Sequence, residues 1–355
     1  MTALNVLVID DSAVVRQVMT ALLGPTMTVR TAADPLIAMT KMESSRPDVI
    51  VLDLEMPRMD GLTFLRKLME ETPLPVVVCS SFAESSSELT MRALQLGAVD
   101  VVLKPKVRVG EPLSDSAIAL IDTVRAASHA RVAKSRSRLI AEDRHSRLTL
   151  AAAPCANNGR AAATQAIAIG ASTGGTEVLK QLLDQMPADA PPIVIVQHMP
   201  ERFTAAFARR LNETSAMSVR EAAAGDVLRR GTAFIAPGDR HLRLVRQGRD
   251  SVGISLHEGA LVNRHRPSVD VLFTSAARAL GGAAAGVLLT GMGRDGAQGL
   301  LEMRTAGALT IAQDEASSVV FGMPKAAIEI GAAERILPAD AIGATLLRIA
   351  RGDNE

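Results

Sequence analysis

Short β-branched and aliphatic runs alternate with segments of helical period along nearly all of this chain, which restricts it to parallel α/β architectures. In the first part the runs are NVLVID (5–10), TVRTAA (28–33), DVIVLD (48–53), PVVVCS (75–80) and DVVLK (100–104). Between the first two lies AVVRQVMTALL (13–23), apolar at 14, 15, 18, 19, 22 and 23, which is one face of a helix. Strands joined through helices form a sheet covered on both faces, and its ligands sit beyond the carboxyl ends of the strands. The 355 residues leave room for two such domains.

Those strand ends carry chemistry. The first part places Asp10, Asp11, Asp53, Ser80 and Lys104 there. Clustered carboxylates repel one another unless a cation neutralises them, and hard oxygen donors of this kind favour Mg²⁺. Lys104 and the Ser80 hydroxyl can then hold the oxygens of a phosphoryl group on Asp53. Any one of these residues alone reads as an ordinary strand end or helix cap; five in register do not.

VIDDS, LDLEMPRMDG and LKP resemble the response-regulator receiver domain, over residues 1–128. That resemblance implies a flavodoxin-like fold in which Asp53 accepts a phosphoryl group from a histidine kinase. It also implies that Asp10, Asp11, Asp53 and the backbone carbonyl of Glu55 hold Mg²⁺. Many receivers carry an aromatic switch residue on the fifth strand, where this chain has Val101.

Residues 129–163 are polar, basic and then low in complexity, and read as a solvated connector rather than a nucleic-acid arm. A formal net charge of +1 gives no electrostatic case for nucleic acid or anionic membrane. No uncharged stretch reaches the ~18 apolar residues of a membrane span. With two cysteines, Cys79 and Cys155, there is no disulfide framework, and a cytoplasmic location is expected.

The second part, 164–355, repeats the alternation with QAIAIG (165–170), PPIVIVQ (191–197), AGVLLT (285–290) and ALTIAQ (308–313). Between 219 and 257, VREA, TAFIAP, HLRLV and SVGISLH lie between turn signals, and we expect them to form an antiparallel hairpin insertion in a doubly wound parallel sheet. Ser172 sits between Gly170 and Gly174 in a G-x-S-x-G turn, which leaves its hydroxyl exposed above the sheet ahead of a helix. By itself that spacing is weak, since small residues are common in strand–helix turns.

His198 strengthens it. It ends the next apolar strand, so a right-handed crossover makes the two strands neighbours and brings an imidazole near the serine. A lone histidine is more often a hydrogen-bonded edge residue, so the reading needs an orienting carboxylate, and Asp295 in GVLLTGMGRDGA is the best candidate. The amides of Met292 and Gly293 are then free to act as oxyanion donors. Such a site needs no cofactor.

Gly291, Gly293 and Gly296 have a rival reading as a G-x-G-x-x-G dinucleotide fingerprint. Against it, Asp295 would face the pyrophosphate, at a cost of about 1 kcal/mol at 4 Å in water and about 4 at a protein surface. The motif also comes late in the domain. A non-catalytic scaffold that only competes for phosphoryl groups is the third reading.

GASTGG, IVIVQHM, IAPGDRHL, NRHRPSVDVLFTSAA, LLTGMGRDGA and FGMPKAAIEIGAA resemble the chemotaxis protein-glutamate methylesterase (CheB) family, and with the receiver the likeness leaves only the linker unmatched. The resemblance implies Ser172 as nucleophile, His198 as general base and acid, and Asp295 as orienting carboxylate. The implied substrate is glutamyl methyl ester on the cytoplasmic helices of chemoreceptors; many members also deamidate receptor glutamine, which the resemblance leaves open. The order of modules suggests that an unphosphorylated receiver covers the crevice at Ser172.

Overall fold

The computed structural model describes residues 3–81, 85–105, 115–130, 132, 165–248 and 251–350. Most of the expected linker, including Cys155, and the tail after residue 350 lie outside them.

The first module strings β1 (Leu4–Ile9), α1 (Ala13–Leu23), β2 (Met27–Ala32), α2 (Pro35–Ser44), β3 (Val49–Leu52), α3 (Gly61–Glu71), β4 (Val76–Ser80), α4 (Ser85–Gln95), β5 (Asp100–Leu103) and α5 (Asp115–Ser128). Its strands pair in parallel in the order β2-β1-β3-β4-β5. Successive residues of β1 serve opposite faces: Val6 and Val8 pack with α1 and α5, Leu7 and Ile9 with α2 and α3. Unbroken aliphatic runs are what a strand buried on both sides requires.

The second module continues with β6 (Ala166–Ala171), α6 (Gly175–Asp184), β7 (Ile193–Gln197), α7 (Glu201–Asn212), β8 (Ser218–Glu221), β9 (Thr232–Ile235), β10 (His241–Gln247) and β11 (Ser251–His257). It ends with α8 (Val269–Leu280), β12 (Ala284–Leu288), α9 (Ala297–Thr305), β13 (Leu309–Gln313), α10 (Met323–Glu329), β14 (Arg335–Leu337) and α11 (Ala339–Ala350). Seven strands form one parallel sheet, β14-β13-β12-β6-β7-β9-β8. From β6 the chain winds first through β7 and later, on the other side, through β12, so the order reverses there. A topological switch point of this kind opens a crevice beyond the strand ends.

The expected hairpin insertion is half right. β10 and β11 pair antiparallel, from His241–His257 to Gln247–Ser251, as a separate ribbon. VREA and TAFI instead extend the main sheet as the parallel strands β8 and β9. TAFI has three consecutive buried residues, Ala233, Phe234 and Ile235, rather than alternating ones, which marks a strand covered on both faces.

The modules are packed together. One apolar cluster runs from Met91 and Leu94 of α4 into Leu179 of α6 and Phe203 and Phe207 of α7. Ser87 Oγ donates to the Arg202 carbonyl across this contact at 3.2 Å.

Candidate active site

Ser172, His198 and Asp295 follow the carboxyl ends of β6, β7 and β12, three adjacent strands. The Ser172 turn is held from all sides. Its amide donates to the Thr290 carbonyl at 3.0 Å, and its carbonyl accepts from Gly175 N at 2.7 Å and Gln197 Nε2 at 2.9 Å. Gly174 caps α6 at φ +77°, a backbone region that favours glycine. Its amide lies 3.3 Å from the carbonyl of Val99 in the first module, so the serine turn touches the receiver directly.

His198 Nε2 lies 2.9 Å from Asp295 Oδ2, while Nδ1 is buried and has no hydrogen-bond partner among the described residues. The structure therefore joins histidine and aspartate, and leaves the second ring nitrogen free rather than bonded to Ser172. Loose catalytic hydrogen bonds are common before substrate binds.

Asp295 is buried and tightly satisfied. Val269 N donates to Oδ2 at 2.7 Å, and Ser268 Oγ and Asn263 Nδ2 donate to Oδ1 at 2.8 and 2.9 Å. Burial alone would raise its pKa, but the bond and charge of His198, with Asn263 and the Val269 amide, hold it well below the usual carboxylate range. An anion fixed here orients the imidazole and stabilises imidazolium.

Two residues passed over in the sequence complete the site. His265 stacks on His198 with centroids 3.7 Å apart and planes 8° from parallel. Burial pushes its pKa down to about 3, with the His198 charge acting the same way, so this ring is neutral. Asn263 bridges Asp295 and Asp270. Gln197 could have been found as the polar residue closing an apolar strand; His265 and Asn263 lie on a loop with no periodic signal.

The serine opens into a cavity of about 340 Å³, shared with Met292, Gly293, Asp295 and His265. The expected oxyanion residues thus border the serine. Packing accounts for Gly291 without a dinucleotide: a Cβ there would meet Met323 Sδ at 2.4 Å and Ser172 Cβ at 2.6 Å. Ile118, Ala119, Asp122 and Thr123 of α5 close the cavity from the receiver side.

In the first module, carboxylate oxygens of Asp10, Asp11 and Asp53 lie within 4.8 Å of one another. Lys104 Nζ sits 2.9 Å from Asp10 and 2.8 Å from Asp53. Burial raises the Asp53 pKa, and Lys104 offsets only part of that. One lysine against three acids leaves surplus negative charge on hard oxygens, a donor set that fits Mg²⁺. Glu55 donates its amide to Asp53 Oδ1 at 3.3 Å, and its carboxylate accepts from Ser81. Ser80 Oγ pairs with Thr90 Oγ1 of α4 at 3.3 Å, and Val101 is buried on β5.

This geometry defines a class, a two-module α/β protein whose receiver docks on a hydrolase-type Ser, His and Asp cluster. The comparisons name the family. The CheB methylesterase family model matches residues 167–346, and the response regulator receiver domain matches residues 6–109. A relative from Rhizobium johnstonii, named protein-glutamate methylesterase/protein-glutamine glutaminase 2, is 51% identical over 97% of this chain and 97% of its own. One of the same name from Xanthomonas campestris is 54% identical over 95% and 97%. The crystal structure of the Thermotoga maritima CheB methylesterase catalytic domain is 40% identical, covers 52% of this chain and 98% of its own, and has a TM-score of 0.51. The chain belongs to the CheB methylesterase family.

Proposed function

We propose that this chain is a phosphorylation-gated protein-glutamate methylesterase that hydrolyses glutamyl methyl esters on the cytoplasmic helices of chemoreceptors, and deamidates glutamine there by the same route. One observation carries the reading. His198 has one nitrogen committed to Asp295 and the other buried and unpartnered among the described residues, and it touches Asp295 and His265, which line the cavity onto which Ser172 opens.

In this reading Ser172 Oγ attacks the ester carbonyl carbon as its proton passes to His198 Nδ1. The oxyanion is met by the Met292 and Gly293 amides. The imidazolium, held by Asp295, gives the proton to the departing methoxide and methanol leaves. Water then attacks the acyl-serine with His198 as base, releasing glutamate and restoring the serine. A glutamine amide would lose ammonia in place of methanol.

Gating belongs to the receiver. Asp53 accepts the phosphoryl group from a histidine kinase, and Lys104 and Ser80 follow its oxygens. Asp10, Asp11 and Asp53, with the Glu55 carbonyl, would hold Mg²⁺, which neutralises phosphoryl charge when bound. A Ser80 hydroxyl drawn to the phosphoryl group leaves Thr90 on α4, the helix that packs on α7. Full opening from a mostly closed state needs about 5.5 kcal/mol of differential stabilisation, so we expect partial activation.

The test is methanol release from methylated receptor membranes. Ser172→Ala should abolish it while leaving Asp53 phosphorylation intact; esterase activity retained in that variant means another nucleophile.

A further inference from the structure

The cavity at Ser172 is capped by one stripe of α5. Ile118, Ala119, Asp122 and Thr123 line it, at the i, i+1, i+4, i+5 spacing of a single helical face. On the catalytic side of the same cavity stand Arg264 and Arg294, from different loops. Arg264 Nη1 lies 3.0 Å from Asp122 Oδ2. Arg294 is exposed and has no carboxylate partner among the described residues.

Arg264 is placed by the triad itself. Asn263 before it bonds to Asp295, and His265 after it stacks on His198. Asn263 and Arg264 sit at φ +50° and +67°, left-handed conformations that Asn tolerates and Arg seldom adopts. The loop therefore fixes the backbone of Arg264 beside His198 and Asp295, and its side chain reaches the cavity that Ser172 lines. Yet its pair with Asp122 contributes little to docking. The two side chains are 70% and 33% exposed, and solvent screens such a pair. The apolar α4–α7 contact and the Gly174–Val99 hydrogen bond join the modules without it.

We propose that α5 is a pseudosubstrate helix. Asp122 occupies, on Arg264, the position taken by a carboxylate of the substrate helix once the receiver has moved away, and Arg294 stands ready for a second. Arg264 is then a specificity residue, selecting glutamyl esters that have an acidic side chain about one helical turn away. The proposal deepens the esterase reading and rests on it.

The test is binding by the full chain carrying Ser172→Ala, so that no turnover occurs. Fluorescence anisotropy would compare two labelled helical peptides, each with one glutamyl methyl ester and either Glu or Gln four residues away. The acidic peptide should bind a few-fold tighter, as one partly exposed pair allows. Arg264→Gln should erase that preference and Arg264→Lys should keep most of it. Asp122→Asn should tighten the acidic peptide several-fold and the neutral one less, because the receiver no longer competes for the guanidinium. Preference that survives Arg264→Gln, or acidic binding unmoved by Asp122→Asn, overturns the proposal. Methanol release by the Ser172 chain is read separately, so a missing reaction with the preference intact counts against the esterase reading alone.

Discussion

His265 lies flat on His198, ring centroids 3.7 Å apart, and closes the face of the imidazole that the Asp295 bond does not restrain. A second cation at that distance would oppose imidazolium formation, and burial avoids it by keeping His265 neutral.

His265 therefore makes two predictions. His265→Ala should lower kcat about tenfold with little change in KM, and His265→Phe should recover most of the loss, since a ring is what the contact needs. Its pKa is about 3 in the fold against an ordinary 6.5, so between those values the unfolded chain binds a proton that the folded one does not. Stability from this residue is present above about pH 6.5 and falls as pH drops toward 3, at about 1.4 kcal/mol per unit. Denaturant unfolding at about pH 7 and 5 should show native protein losing about 2 kcal/mol more than His265→Phe; equal losses contradict it.

Asp295→Asn should cut kcat by about 10³–10⁴, because an amide neither stabilises imidazolium nor holds the neutral ring in the required tautomer. Single-turnover methanol release measures this. A loss below tenfold would remove Asp295 from the mechanism.

Asp100 sits at the docking contact, where Thr173 donates to its carboxylate and burial pushes its pKa up to about 6. A docked state that holds this proton more firmly than the released one is favoured at low pH. Docking should weaken as pH rises from about 4 to about 6 and then level off. Asp100→Asn removes the charge, so it should tighten docking at neutral pH and lower the unphosphorylated rate several-fold. A faster Asn variant would contradict this.

Much of this architecture is legible in order of residues alone. Apolar runs ending in Asp10, Asp53, Ser172 and His198 mark strands and their carboxyl ends, and right-handed crossovers then dictate which ends are neighbours. VREA and TAFI misled because flanking turn signals suggest a hairpin, while pairing partner is decided by burial on both faces. His265 and Asn263 were hidden because left-handed residues on an irregular loop deliver them to the site. The docking of α5 over Ser172 is complementarity between two surfaces, and it leaves no period in either one.

The most direct measurement is covalent labelling of the full chain by phenylmethanesulfonyl fluoride, mapped by mass spectrometry, with and without acetyl phosphate and Mg²⁺. The account predicts a single adduct on Ser172, formed slowly in the unphosphorylated chain and several-fold faster once Asp53 is phosphorylated. An adduct on another residue, or a Ser172 rate indifferent to phosphorylation, would contradict it.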